Sequence, residues 1–305
     1  MISENQINQV YFSSLLPERF PQLFDLIVER INQINLISNT ISYGLLPHTN
    51  DIWCRDYMPI QVSENKFVCF RYAPDYLLVN DHFKRTITNA SELCNAIGIN
   101  PIYSEIKLDG GNIVSYNEPT LMLGGENRTI ITDRIFQDNA GYKQNQLVAK
   151  LEDLLESEII IIPQEPHDIT GHADGILRFI NSKEVFVNNY RPYNKSFDSK
   201  LKLALARHNI KPVPFSFAPK KLKNKWGDYT ALGYYINYLQ LGGKFFLPQF
   251  EDFTEDDFNA IQDLAGYYGE NFHPNWDIVF PIQVRDLAME GGVLNCISWT
   301  IKVVT

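Results

Sequence analysis

The chain has 305 residues, of which 45% are hydrophobic and 21% charged, a composition typical of a soluble globular protein with a sizeable core. The formal net charge of −9 argues against nucleic acid as a partner, since phosphates require a basic protein face. No apolar run is long enough to span a bilayer, and no export signal opens the chain. We therefore expect one domain over residues 1–305 that is cytoplasmic and binds neither nucleic acid nor membrane.

Helical and extended segments alternate along the chain. Residues 17–34 place apolar side chains at helical spacing, which predicts an amphipathic helix. Residues 52–60 and 67–72 are typical of the two strands of a hairpin. Further helices are predicted over residues 89–97, 142–155, 196–208 and 254–264, and further strands over residues 99–106, 120–123, 158–163, 176–180, 184–188, 210–215, 244–248, 276–282 and 294–299.

The order of turn, hairpin, helix and strand recurs along the sequence. The successive rounds open near Trp53, Gly111, Gly171, Ala231 and Gly291. A fixed period of about sixty residues is the mark of a repeat architecture, although the units are not alike in sequence. Five such units favour a ring, because radial repetition leaves few open sheet edges, and the openings would then converge on one axis. An ordinary α/β sandwich has the same local pattern and is the alternative.

The openings of the rounds hold most of the reactive and ionisable candidates. Taken singly, each has an ordinary structural explanation. His172 lies between two small residues at a predicted turn, and Asp109 precedes a Gly-Gly turn, where aspartate is common. Asp56 follows Trp53 in an apolar stretch, and a carboxylate there is costly unless it is paired, with Arg55 as the simplest partner.

Taken together, these residues suit attack on a guanidinium carbon. A guanidinium is planar and rich in N–H donors, so the carboxylates of Asp56 and Asp174 can clamp it with charge-assisted hydrogen bonds. Its carbon is a poor electrophile, which calls for a strong nucleophile such as the thiolate of Cys296. His172 can protonate departing ammonia and then activate water, and Trp53 can cover the substrate.

The cysteines show no metal-ligand spacing and, without an export signal, are expected to be reduced thiols. Cys69 and Cys94 are predicted to be small buried hydrophobic residues.

Four motifs resemble those of one known family. They are Trp53–Pro59 (W-x-R-D-x-x-P), Leu108–Asn112 (acidic-G-G-N), Gly171–Asp174 (G-H-x-D) and the glycine-rich segment from Glu290 to Cys296. The four motifs occur in the order found in that family and together span Trp53 to Trp299. In this respect the chain resembles the agmatine deiminases, also called Porphyromonas-type peptidylarginine deiminases, of the guanidino-group-modifying (pentein) superfamily. The resemblance implies a five-bladed α/β propeller with the active site at its centre.

The resemblance also implies the roles of individual residues. Cys296 would be the nucleophile and His172 the general acid and base, while Asp56 and Asp174 would hold the guanidinium. Ammonia would leave from a covalent thiouronium adduct, which water would hydrolyse to a ureido product. The substrate-binding residues implied are Trp53, Asp109, Asn237 and Gly292. Neither a metal nor an organic cofactor is implied, the partner is a small cationic guanidino substrate, and a homo-oligomer is left open.

Three positions depart from the family pattern. Glu290 replaces a glycine and Asn295 a histidine in the closing segment, and Met58 stands where a glycine usually precedes the proline. We expect these changes to affect the choice of substrate more than the type of reaction. Agmatine is the default substrate; an arginine or peptidylarginine substrate, amidino transfer to an amine, and a non-catalytic guanidino-binding module are the alternatives. Nothing near the cysteines matches the signatures of papain-like enzymes.

Overall fold

A computed structural model of the chain describes residues 2, 4–38, 40–117, 127–269 and 276–303. The strands are β1 Gln9–Ser13, β2 Ser42–Leu46, β3 Ile60–Ser63, β4 Lys66–Arg71, β5 Ile102–Lys107, β6 Val114–Tyr116, β7 Arg128–Thr132, β8 Glu158–Ile162, β9 Leu177–Asn181, β10 Glu184–Asn188, β11 Lys211–Phe215, β12 Leu239–Leu241, β13 Lys244–Gln249, β14 Val279–Gln283 and β15 Ser298–Ile301.

Helices connect the strands. They are α1 Leu16–Arg19, α2 Pro21–Ser38, α3 Cys54–Tyr57, α4 Asp81–Lys84, α5 Ala90–Ala96, α6 Arg134–Asp138, α7 Gln144–Leu155, α8 Lys195–Ala206, α9 Glu255–Tyr267 and α10 Arg285–Met289, with 3₁₀ turns at Glu4–Gln6, Asp75–Leu77, Gly110–Asn112 and Trp276–Ile278. Among these helices, none combines the length and the apolar character needed to span a bilayer.

The described strands form five separate three-stranded sheets. Their strand orders are β3-β4-β5, β6-β7-β8, β9-β10-β11, β12-β13-β14 and β15-β1-β2. In every sheet the middle strand pairs antiparallel with one neighbour and parallel with the other. This repeated pattern confirms the mixed α/β class and the unit of hairpin, helix and strand. Five small sheets are consistent with a five-bladed propeller and are unlike the large sheets of a sandwich.

The fifth sheet joins the two ends of the chain. Strand β1 lies between β15, with Tyr11 opposite Trp299, and β2, which comes after α2. Trp299 is 2% exposed, and its indole N–H donates to the carbonyl of Pro59 at 2.8 Å. Because this sheet uses strands from both ends, the last unit is completed only when the ends meet.

The prediction of a strand over residues 52–60 was wrong at its centre. Residues Cys54–Tyr57 form helix α3, and the hairpin strand β3 begins at Ile60. The Asp51 carboxylate accepts the Trp53 N–H at 3.0 Å, and the Arg55 N–H donates to the Cys296 carbonyl at 3.2 Å. These polar contacts stabilise a turn in a segment whose apolar pattern alone is typical of a strand.

The last strand also begins later than predicted. Residues 294–297 form a turn, in which the Ser298 N–H donates to the Asn295 carbonyl at 3.2 Å, and β15 starts at Ser298. Cys296 therefore lies in a turn at the opening of the fifth unit, before the strand. The strand predicted over residues 120–123 lies outside the described residues. The other predicted helices and strands overlap elements that the structure contains.

We expect Phe12→Ala to lower the free energy of unfolding by about 3–5 kcal/mol. Phe12 is fully buried in the middle strand of the closing sheet, and its ring meets that of Phe24 at 6.0 Å. Leu36→Ala is the control, because Leu36 is 88% exposed, and it should change stability by less than about 0.5 kcal/mol. Chemical denaturation of both variants measures the difference; equal effects would contradict a closing sheet centred on β1.

Candidate active site

The first two units of the repeat contact each other at the candidate site. The Gly111 N–H donates to the Asp56 carboxylate at 3.1 Å, which ties helix α3 to the turn Gly110–Asn112. A side chain on Gly110 would place its Cβ 2.0 Å from the carbonyl oxygen of Arg55, so only glycine fits there. Asp56 is therefore held by the next unit of the repeat, and Arg55 is not its partner, contrary to the simplest expectation from the sequence.

His172 lies between two carboxylates. Its Nε2 is 3.2 Å from Asp109 Oδ2, and its Nδ1 is 3.6 Å from Asp56 Oδ1. The imidazole packs over Gly111, where a Cβ would come within 2.5 Å of Nδ1. His172 is only 7% exposed, so the surrounding backbone and the two carboxylates fix the ring. Asp109 thus contacts the histidine directly and is more than a turn residue.

The local charges decide the protonation of the histidine. Burial by itself lowers the pKa of an imidazole, but Asp56 and Asp109 outweigh it and raise the pKa of His172 to about 10. Burial raises the pKa of Asp56, and the carboxylates of Asp109 and Asp174 add to this effect while the imidazolium opposes it. At neutral pH the histidine is therefore a proton donor held by carboxylates.

Cys296 belongs to a second group of polar side chains. Its Sγ donates to Asn237 Oδ1 at 3.3 Å, and the Asn237 amide donates to the carbonyl of Asp174 at 3.3 Å. The Asn295 amide donates to Asp174 Oδ2 at 2.6 Å, and its own backbone N–H donates to the Asn237 carbonyl at 3.2 Å. Turns from the third, fourth and fifth units are thereby joined around the thiol.

The Cys296 thiol is surrounded by groups that keep it protonated. Burial raises its pKa well above the usual range, and the carboxylates of Asp174 and Asp56 raise it further. Both aspartates therefore lie within electrostatic range of the sulfur. A hydrogen bond from the Asp174 N–H to the Gly111 carbonyl, at 3.1 Å, joins the two groups through the backbone.

Trp53 borders the same region. A Cβ on Gly292 would lie 2.5 Å from the Trp53 ring, so the indole packs directly on the glycine. All eight residues predicted for the site, from Trp53 in the first unit to Cys296 in the fifth, are therefore linked by contacts between turns. His172 and Asp174 lie in a loop and a turn, respectively, and contact different partners.

The three departures from the family pattern lie in different surroundings. Met58 is 3% exposed and packs in a hydrophobic cluster with Cys54, Tyr57 and Trp299. The Glu290 carboxylate pairs with Arg19 near the surface. Asn295 alone contacts a predicted site residue. Of the three departures, only Asn295 is therefore still expected to affect the pocket.

Some features of the site were missed by sequence reasoning. In the sequence, Asn295 stands out only as a departure from the family pattern. In the structure it is 3% exposed, and its Oδ1 is buried without a hydrogen-bond partner among the described residues. Asp51, whose pKa burial raises to about 7, supports the Trp53 backbone. Neither residue stands at a spacing that could have identified it. Within the described part of the chain, no three His, Cys, Asp or Glu side chains are grouped to hold a metal ion.

The fold and the site together define an α/β protein with a cysteine, a histidine and carboxylates where five similar units meet. A sequence model of the family described as Porphyromonas-type peptidyl-arginine deiminase matches residues 24–301. The match covers most of the chain, and the protein therefore belongs to this family of guanidino-group deiminases. No functionally curated protein matches the chain closely enough to count as a relative.

Solved structures share the fold at low sequence identity. Agmatine deiminase of C. jejuni is 17% identical with a TM-score of 0.71, covering 99% of this chain and 95% of that one. A C. jejuni cysteine-to-serine variant with substrate bound is 15% identical with a TM-score of 0.72 and the same coverage. Agmatine deiminase of Enterococcus faecalis is 16% identical with a TM-score of 0.72, again covering 99% and 95%.

The raised pKa of His172 predicts a pH-dependent stability. A protonated group whose pKa is higher in the folded state stabilises the fold below its unfolded pKa of about 6.5, and this contribution is lost as pH rises through the folded pKa. We expect the free energy of unfolding to fall between pH 6.5 and about 10, with a smaller decrease in His172→Asn. Denaturant titrations at several pH values measure both slopes. Equal slopes would show that His172 is not held as an imidazolium.

Proposed function

We propose that this protein is a guanidine deiminase that uses Cys296 as its nucleophile, with agmatine as the default substrate. The observation that carries the proposal is the arrangement of one thiol, one imidazolium and two buried carboxylates at the meeting point of the repeat units. Agmatine deiminases are among the solved structures that are similar to this chain, which supports agmatine as the first substrate to test.

The carboxylates provide the binding energy for a cation. Asp56 and Asp174 are both within electrostatic range of Cys296, and in this proposal the guanidinium binds between the two carboxylates, beside the sulfur. Each carboxylate can accept N–H donors from a planar guanidinium, and such charge-assisted bonds are stronger than neutral ones. The buried Oδ1 of Asn295, next to Asp174, is one more acceptor at this place. Trp53 supplies an apolar surface for the alkyl part of the ligand.

Binding of a cation would also activate the thiol. Burial and the two carboxylates raise the pKa of the Cys296 thiol and keep it protonated. A guanidinium neutralises those carboxylates and favours the thiolate, so the proton leaves to solvent as substrate binds. The thiolate then attacks the guanidinium carbon, and a carbon–sulfur bond forms. The enzyme thus becomes nucleophilic only when its substrate is present.

His172 is suited to the proton transfers that follow. As an imidazolium it can donate a proton to the departing nitrogen, so that ammonia leaves and a thiouronium adduct stays on Cys296. The neutral imidazole can then accept a proton from water, which attacks the same carbon. The carbon–sulfur bond breaks, and the ureido product leaves. Asp56 and Asp109 hold the ring in place through both steps.

Other activities on the same site remain as alternatives. Arginine or peptidylarginine would use the same chemistry with a different group at the far end of the ligand. Transfer of the amidino group to an amine shares the thiouronium adduct and differs only in excluding water from the second step. A binding module would retain the carboxylate clamp without thiol chemistry.

The first test is turnover of agmatine, arginine and an arginyl peptide. We expect ureido product and ammonia from at least one of them, and Cys296→Ala should lower kcat by at least about a thousandfold because the nucleophile is lost. Cys54→Ala is the matched control, since the Cys54 thiol is fully buried and donates to the Ile297 carbonyl at 3.0 Å. It should retain turnover if its fold is intact.

A second measurement separates an enzyme from a binding module. A cationic haloacetamidine should alkylate Cys296 much faster than neutral iodoacetamide, because only the cation occupies the carboxylate clamp and favours the thiolate. Binding of guanidino ligands without turnover and without this preference would contradict the deiminase proposal.

Asn295 should contribute to substrate handling through Asp174. We expect Asn295→Ala to lower kcat/KM by about 10- to 100-fold, because a hydrogen bond to a buried carboxylate is lost. Glu290→Gln is the matched control, since it changes the other departure in the same segment, whose carboxylate pairs with Arg19. Steady-state kinetics of both variants make the comparison. An equal loss of kcat/KM in both variants would show that the effect belongs to the segment Glu290–Asn295 as a whole and not to the hydrogen bond with Asp174.

A further inference from the structure

A segment of the first unit, residues 75–88, begins at the sheet edge that carries the candidate active site. Strands β4 and β5 run parallel, and Arg71 at the end of β4 is the register partner of Lys107 at the end of β5. Strand β5 leads directly to Asp109 of the site. Because parallel strands end at the same edge of a sheet, the chain leaves β4 on the side where Asp109 lies. It then continues into residues 75–88, which we call the strap.

The first end of the strap is fixed beside the catalytic histidine. Asp75 forms an ion pair with Arg134 of the second unit. The Nη1 of Arg134 also donates to the Ile169 carbonyl at 3.2 Å. A side chain on Gly171 would place its Cβ 3.1 Å from the Cβ of Arg134, so this arginine packs against the residue that precedes His172. One guanidinium thus ties the start of the strap to the loop that carries the histidine.

The other end of the strap is anchored as well, and its middle presents an aromatic ring. The Asn50 N–H donates to the hydroxyl of Thr88 at 2.9 Å, and Thr88 is buried. Between the two ends, the Asn80 side chain caps helix α4 by accepting the Phe83 N–H at 3.0 Å. Phe83 is half-buried, whereas the other three residues of α4 are exposed. The cap therefore fixes the one residue of α4 that packs against another part of the chain.

Phe83 packs against a loop that precedes the fourth unit. Its ring centroid lies 6.4 Å from that of Trp226, and the two rings meet edge to face. Trp226 belongs to residues 220–230, which we call the facing loop. The side chain of Asn224 accepts the N–H groups of both Trp226 and Asp228, at 2.9 and 3.0 Å. The turn that presents the indole is therefore held by its own hydrogen bonds.

The contact between the strap and the facing loop crosses the ring of units. Hydrogen bonds join each unit to the next, and the pairs are Asp56–Gly111, Thr132–Gly171, Asp174–Asn237, Asn237–Asn295 and Cys296–Arg55. The strap belongs to the first unit, and the facing loop lies between the third and fourth, which is the opposite position in a ring of five. Strand β11 leads into this loop as β5 leads to the site, so the loop starts at the same edge. The ring contact therefore lies over the mouth of the site.

We propose that the strap and the facing loop form a cover that restricts the substrates to small free guanidino compounds, with Phe83 and Trp226 as the specificity-determining residues. This inference rests on the proposed deiminase function and adds a choice between a free and a peptide-borne guanidinium. An arginine within a peptide carries main chain on both sides of its Cα, so it needs an opening that extends in two directions. A cover anchored at its ends and joined at its centre blocks an opening of that shape. A single edge-to-face ring contact is weak enough to open for a small cation.

The test compares two cationic reagents that alkylate Cys296 in the full-length protein. One is a free haloacetamidine, and the other is a peptide that carries the same haloacetamidine on an ornithine side chain. After correction for their rates with a free thiol, we expect the free reagent to label the wild-type protein at least about tenfold faster. In Phe83→Ala and in Trp226→Ala, this preference should fall towards one, because the peptide reagent gains access while the free reagent keeps its rate. Mass spectrometry identifies the labelled residue.

Phe258→Ala is the matched control, because Phe258 is an exposed aromatic residue on helix α9, outside the strap and the facing loop. It should keep the wild-type preference. An unchanged rate with the free reagent shows that a variant is folded, and the wild-type preference alone decides the proposal if neither cover variant folds. Equal labelling of the wild type by both reagents would overturn the cover and leave the deiminase proposal standing, as would folded variants that keep the preference. Labelling by neither reagent would overturn both proposals together.

Discussion

Burial of ionisable groups where the repeat units meet is the constraint on which this structure depends. Asp56, Asp174 and His172 are largely removed from water, and a buried charge is costly unless it is paired or hydrogen-bonded. Each is held by a residue of another unit: Asp56 by the Gly111 N–H, His172 by Asp109, and Asp174 by Asn295. The polar contacts that make the site possible are therefore also contacts that join the units.

The same constraint explains why glycines surround the site. Gly110, Gly111 and Gly292 stand where a side chain would collide with the Arg55 carbonyl, the His172 ring and the Trp53 ring. Their role is close approach between turns, which brings charged side chains from different units within hydrogen-bonding distance. Electrostatics then separates the roles of the two reactive groups. The carboxylates favour a protonated His172 and a protonated Cys296, and in the proposed reaction a cationic ligand triggers thiolate formation.

The sequence by itself determined the class of fold and the order of its units, because these follow from hydrophobic periodicity and turn residues. The eight candidate residues came from short motifs and from their resemblance to a known family. It could not determine α3, where polar contacts from Asp51 and Cys296 override an apolar strand-like pattern. It also could not assign Asn295 to Asp174, because partners distant in sequence leave no local signal. Only the tertiary structure decided these pairings, since packing between elements determines which side chains share a buried space.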